Sequence, residues 1–164
     1  MVALLAPCRV CRSKTYPITC TRCSADGQHS RTNPCRNTRG AAWSRPPLAD
    51  DGRDGDRARA RLRGEQLGAP ELIDLEVASV LRGQLLAGSL DARRAELALI
   101  DLEAMPVRRA PHRPLLARCW QLRDNLTLYD AVYVALAEAL DAHLLTADCR
   151  LARSPGPRCP IELL

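Results

Sequence analysis

From Leu48 to Leu164, short apolar runs alternate with stretches of helical periodicity, and few architectures accommodate that order. "GDRARARLRG" reads as a short polar helix stopped by Gly64, followed by an extended piece over residues 66–69. Pro70 suits the first turn of the next helix, "PELIDLEVASVLRGQLLAG", which carries Ile73, Val77, Val80, Leu81 and Leu85 and ends at Gly88. A helix over 91–103 should turn Leu97 and Ile100 inward. "MPVRR" reads as a strand, "RPLLARCWQLRD" as a helix, "HLLTAD" as a strand closed by an acid, and "IELL" as a last strand. Strands alternating with helices predict an α/β sandwich of three layers around a parallel central sheet. In such sheets, ligands collect beyond the carboxyl ends of the strands.

That rule directs attention to three acids. "NLTLYDAVYVALAEAL" opens a strongly apolar helix with Asp130, and Thr127-x-x-Asp130 fits a capping box. Tyr129 and Tyr133 lie four apart on one face of this helix. Asp148 stands at the exit of the "HLLTAD" strand, where a turn residue is equally at home. Glu76 lies one turn from Leu72 and Val80 in an apolar helix, and needs either a partner or a route to solvent. Each acid has an ordinary structural explanation. One arrangement accounts for all three: carboxylates gathered at one sheet edge around a hard cation, of which Mg²⁺ or Mn²⁺ suits an all-oxygen set. Such a site can act on a phosphodiester.

Composition divides the chain. Of its 24 basic residues, Arg9, Arg12, Lys14, Arg22, Arg31, Arg36, Arg39 and Arg45 precede residue 48, with Asp26 the sole acid there. Five of the eight cysteines fall in the same stretch. Two domains of description follow: a Cys/Arg-rich segment, 1–47, and an α/β domain, 48–164. Cys8-x2-Cys11 and Cys20-x2-Cys23 have the look of a tetrathiolate zinc site. The short internal spacing and the absence of a glycine in either pair weigh against zinc. An irregular or disordered segment, or a non-native reading frame, explains its composition better. Disulfides are not expected in a reducing cytoplasm, and Cys35, Cys119, Cys149 and Cys159 show no pairing logic. Cys119 reads as a core residue, and His29, His112 and His143 as structural. No run approaches the ~18 apolar residues of a membrane span. "MVALLAPCRVC" lacks the basic start of a signal peptide, so a cytoplasmic protein is expected.

"LRDNLTLYDAVYVALAEAL" and "LLTADCRLA", supported by "APELIDLEVASVLRG" and "PGPRCPIELL", resemble a PIN domain, and within it the VapC-type toxins of toxin–antitoxin pairs. The resemblance covers residues 48–164. It implies a Mg²⁺- or Mn²⁺-dependent endoribonuclease, a cognate VapB-type antitoxin, an RNA substrate and a homodimer. Residue by residue, it implies catalytic and metal-binding roles for Glu76, Asp130 and Asp148, with Thr127 and Ser79 in support. One departure matters. The family starts with a hydrophobic strand running into an aspartate, and nothing before Leu48 looks like it. Aligned on "PLADDG", the ligand falls near Gly40, in "RNTRGAAWSRP", which has no β-branched run. Asp50, Asp51, Asp54 and Asp56 read as surface charge at a solvated turn. The alternatives are a non-catalytic PIN-like remnant that still binds an antitoxin, and a zinc-ribbon nucleic-acid-binding protein.

Overall fold

The computed structural model describes residues 3–7 and 53–164. Its elements run β1 (Ala3–Pro7), α1 (Arg53–Leu62), β2 (Leu67–Pro70), α2 (Leu72–Leu86), α3 (Ala92–Ala104) and β3 (Val107–Ala110). After a 3-10 turn (Arg113–Leu115) come α4 (Leu116–Gln121), α5 (Leu128–Ala139), β4 (Ala142–Thr146), α6 (Cys149–Arg153) and β5 (Ile161–Leu163). The five strands form one sheet in the order β3-β2-β1-β4-β5. β2 pairs parallel with β3, and β4 parallel with β5. The α/β class expected from the alternation is the class observed.

The centre of the sheet departs from expectation. The position between β2 and β4 is filled by β1, from the segment expected to be irregular, and β1 runs antiparallel to both neighbours. Ala3 pairs with Thr146 and Pro7 with Ala142. "ALLAP" is short and apolar, as a strand at the middle of a sheet must be. A main-chain ladder forms with either polarity, so a strand of this kind can fill the gap in reverse. Gly40 and the stretch around it lie outside the described residues, as do Cys8, Cys11, Cys20, Cys23, Cys35 and His29.

Pro70 ends β2 instead of opening α2, because the strand continues in register with β3 as far as the pair Pro70–Ala110. Glu71 then precedes the helix and donates its N–H to the Ala110 carbonyl at 3.0 Å. α2 stops where Gly88 takes φ 70°, a conformation that favours glycine. The middle of α5 is buried on all sides, every residue from Ala131 to Ala137, while Leu128 and Tyr129 at its start are exposed. With Leu144 and Leu145 of β4, Ile73 of α2 and Leu122, it makes the core. Cys119 is buried as expected. α3 presents the other face to the one predicted. Leu97 and Ile100 are exposed, while Ala95 and Leu102 pack inward. Arg109 of β3 holds this corner, donating to Asp74 at 2.9 Å and to the Leu102 carbonyl at 2.7 Å.

Candidate active site

β2, β3, β4 and β5 share a direction, so their carboxyl ends define one edge of the sheet. β4 reaches that edge at Thr146, and Asp148 follows two residues later. α5 leads into β4 from the opposite edge, so its N-terminus and Asp130 return to the edge where Asp148 stands. β2 also ends there, and α2 departs from it carrying Glu76 in its second turn. The topology therefore gathers the three acids, from α2, α5 and the end of β4, although 72 positions separate the first from the last.

Each acid also has a local partner. The N-cap Thr127 accepts the Asp130 N–H at 3.1 Å, and its hydroxyl donates to Asp130 Oδ2 at 2.8 Å. This is a variant of the expected capping box. The hydroxyl alone serves the backbone, and the Asp130 carboxylate bonds to the hydroxyl instead of to a free main-chain donor. Asp148 donates its N–H to Thr146 Oγ1 at 3.1 Å and accepts the Arg150 N–H at 2.6 Å, which caps α6. Arg150 approaches Asp148 only to 3.7 Å, with its own side chain 94% exposed. Glu76 Oε2 accepts a hydrogen bond of 2.8 Å from the Tyr133 hydroxyl. That partnership was missed in the sequence. The usable signal was a tyrosine within an otherwise apolar buried helix, since a buried phenol requires a polar partner.

The acids disturb one another. Burial pushes the Glu76 carboxyl above its ordinary range, against the Tyr133 hydrogen bond, and the charge of Asp130 adds to the rise. Burial likewise raises Asp130; the Thr127 hydrogen bond opposes it, Asp148's charge adds to the rise, and Arg150 lowers it. Asp130 is thus the middle acid, raised by Asp148 and itself raising Glu76. Burial and neighbouring charge shift carboxyls in this way at functional sites and in structural networks alike.

The donor chemistry fits a hard divalent cation: three oxygen acids, Asp130 set against each of the other two, with Arg150 weakly placed at the rim. The cage is not closed. Among the described residues, no group of three His, Cys, Asp or Glu side chains is drawn together tightly enough to hold an ion. The reversed β1 brings its first residues to this edge and carries its last one, Pro7, to the far side. Ser79 is exposed on α2, further from the edge than Glu76. Asp56 pairs with Arg59 at 2.8 Å on the surface, as expected for a solvated turn. His112 is exposed before the 3-10 turn, and His143 lies within β4. Cys149, expected to be unpaired, is disulfide-bonded.

The family model of the PIN domain matches residues 47–156. The chain belongs to the PIN-domain family. Its relatives within that family are of the VapC type. It is 44% identical over 118 residues to Ribonuclease VapC1 of Mycobacterium tuberculosis, covering 71% of this chain and 89% of that protein. It is 41% identical over 117 residues to Ribonuclease VapC9 of the same organism, with the same coverage of 71% and 89%. To Ribonuclease VapC12 it is 39% identical over 104 residues, 63% of this chain and 81% of the relative. The PIN-domain match begins where the Cys/Arg-rich composition ends and takes in all three acids.

Proposed function

We propose that this protein is the toxin of a toxin–antitoxin pair, an endoribonuclease that cleaves RNA with Mg²⁺ or Mn²⁺ held by Glu76, Asp130 and Asp148. The observation that carries the reading is the convergence of these acids at the carboxyl edge of a PIN-domain sheet, with Asp130 raised by burial and by the charge of Asp148. When bound, the ion supplies Lewis-acid polarisation of a phosphodiester and eases deprotonation of water. The chain's own residues bind and orient. Asp130 is steadied by Thr127, Glu76 by Tyr133, and Asp148 by the turn into α6. Asp130 keeps its cap geometry while offering charge to the edge, so structural and functional roles coincide in one side chain.

The same proposal includes a VapB-type antitoxin, a homodimer and a cytoplasmic location. Leu75 and Leu86 of α2 and Leu97 and Ile100 of α3 are exposed, an apolar surface suited to a partner chain. Among the described residues no helix is long and apolar enough to cross a membrane. Ala3–Pro7 form the central strand of the domain, and the four cysteines at 8, 11, 20 and 23 are not needed for this reading. Relatives named ribonucleases over the acid-bearing region favour a nuclease over a non-catalytic remnant or a zinc-ribbon binder.

Mn²⁺ titration of the purified chain, paired with cleavage of a structured RNA, tests the proposal. A saturable site and metal-dependent cleavage, both lost in Asp130→Asn, are expected. A chain that shows neither is not a nuclease.

A further inference from the structure

Tyr133 is 1% exposed, yet its one polar atom is spent on an acid that stands 57 residues away in sequence. The residue lies one turn beyond Tyr129 on the same face of α5, and so one short step inward from Asp130. We propose that Tyr133 is a positioning residue for Glu76: its buried hydroxyl fixes one carboxylate oxygen, Oε2, and leaves Oε1 as the oxygen Glu76 offers to a divalent cation. The inference rests on the proposed metal site and adds a residue to it.

The physical case begins with what the bond does not do well. A contact made only to hold α2 against α5 would be served by two apolar side chains, with no charge to desolvate. Here a carboxylate is kept half-buried beside Asp130, where both burial and a like charge work against it. The phenol holds it there. An ordinary phenol is already protonated throughout the physiological range, so the hydroxyl remains a donor to Glu76. A glutamate has three rotatable bonds, and an unrestrained one samples many positions of its carboxylate. A single donor from a fully packed helix removes most of that freedom, which is how groups behind the ligands tune metal affinity. The hydroxyl's burial also keeps it from touching RNA. Its influence on the reaction passes through Glu76.

The test is a Mn²⁺ titration, followed by the spin signal of the free ion, on the full chain and on Tyr133→Phe, Glu76→Gln and the double variant. Tyr133→Phe should weaken Mn²⁺ binding about ten- to a hundredfold. Cooperative melting in cation-free buffer should persist. The double variant should bind no more weakly than Glu76→Gln alone, because Tyr133 acts only through that carboxylate. On RNA, Tyr133→Phe should lower kcat and leave KM near the parent value. Parent-like Mn²⁺ affinity in Tyr133→Phe, or a loss that adds in full to that of Glu76→Gln, overturns the inference while the metal site stands. A parent chain with no saturable Mn²⁺ site overturns the proposed site and this inference with it. Should Tyr133→Phe not fold, Glu76→Asp decides. It draws the carboxylate one methylene away from the hydroxyl and is expected to weaken Mn²⁺ by a similar factor; parent-like binding there counts against the inference.

Discussion

Asp130 bonds to the N-cap Thr127 and, in the proposed site, holds the cation, and substitution can separate the two roles. Asp130→Asn retains the shape, can still accept from Thr127, and removes the charge. RNA cleavage should fall to background while the melting curve stays cooperative. A variant that cleaves as fast as the parent would reduce Asp130 to a cap. The raised carboxyls of Glu76 and Asp130 carry a second expectation. A group whose folded value lies above its unfolded one favours folding when protonated and opposes it once pH rises through the folded value. At neutral pH both acids therefore oppose folding in the absence of a cation. Asp130→Asn should melt at the same or a higher temperature than the parent in chelator, and the order should reverse on adding Mn²⁺. A clear loss of stability in chelator would mean that the carboxylate is held by bonds worth more than the repulsion. At this scale the acids themselves were legible in the sequence, because each stands at a helix start, a strand exit or an apolar face where a charge is conspicuous. Their partners were not. Nothing in residue spacing links Tyr133 to Glu76, since the bond exists only after α2 and α5 have been packed together.

The junction of α4, α5 and the loop before β5 turns on Glu138. Arg118 of α4 donates to it at 2.7 and 3.0 Å, and the Arg158 N–H at 2.8 Å. Arg118 also reaches the Gly156 carbonyl at 3.0 Å, so one ion pair pins two elements to a third. Burial alone would raise the Glu138 carboxyl, but the Arg118 and Arg158 hydrogen bonds and charges hold it below the ordinary range. A depressed carboxyl stabilises the fold above its unfolded value, and that contribution disappears as pH falls through the folded value. Glu138→Gln should cost about 2 kcal/mol at pH 7, the scale of a hydrogen bond to a charged group. Urea denaturation should show the gap between parent and variant closing below about pH 4. A gap unchanged from pH 7 to pH 3 would rule out the ion pair as its source. Among the elements, α5 and β4 were readable because their periods are unambiguous and their ends are marked. α3 was not. Ala95, Leu97, Leu99, Ile100 and Leu102 spread apolar character around most of its circumference, so periodicity could not choose a face, and packing selected Ala95 and Leu102. α6, at five residues, is too short to show a period.

For the whole molecule the decisive feature is the strand that fills the centre of the sheet. β1 was illegible because its pairing partners, β2 and β4, lie far along the chain, and because five apolar residues at a terminus carry no signal of their own. Replacing residues 1–42 by a hydrophobic strand ending in Asp-Ala-Ser should supply a parallel strand and a further acid at the exit edge. Mg²⁺-dependent cleavage of a structured RNA should then rise and be suppressed again by Asp130→Asn, since affinity in oxygen sites grows with the number of charged ligands. If the replaced version folds and binds Mg²⁺ yet cuts nothing, while the original chain does cut, the activity belongs to the cysteine-rich segment. The position of β1 also governs how the chain finds its fold. Among the described residues, β2 with β3 and β4 with β5 are two parallel ladders that do not pair with each other, and β1 bridges them. Ala3 must wait for Thr146, so β1 is among the last strands to be locked although it precedes the others described. Contacts so distant in sequence slow folding, and until they form both ladders present open inner edges to any other extended chain.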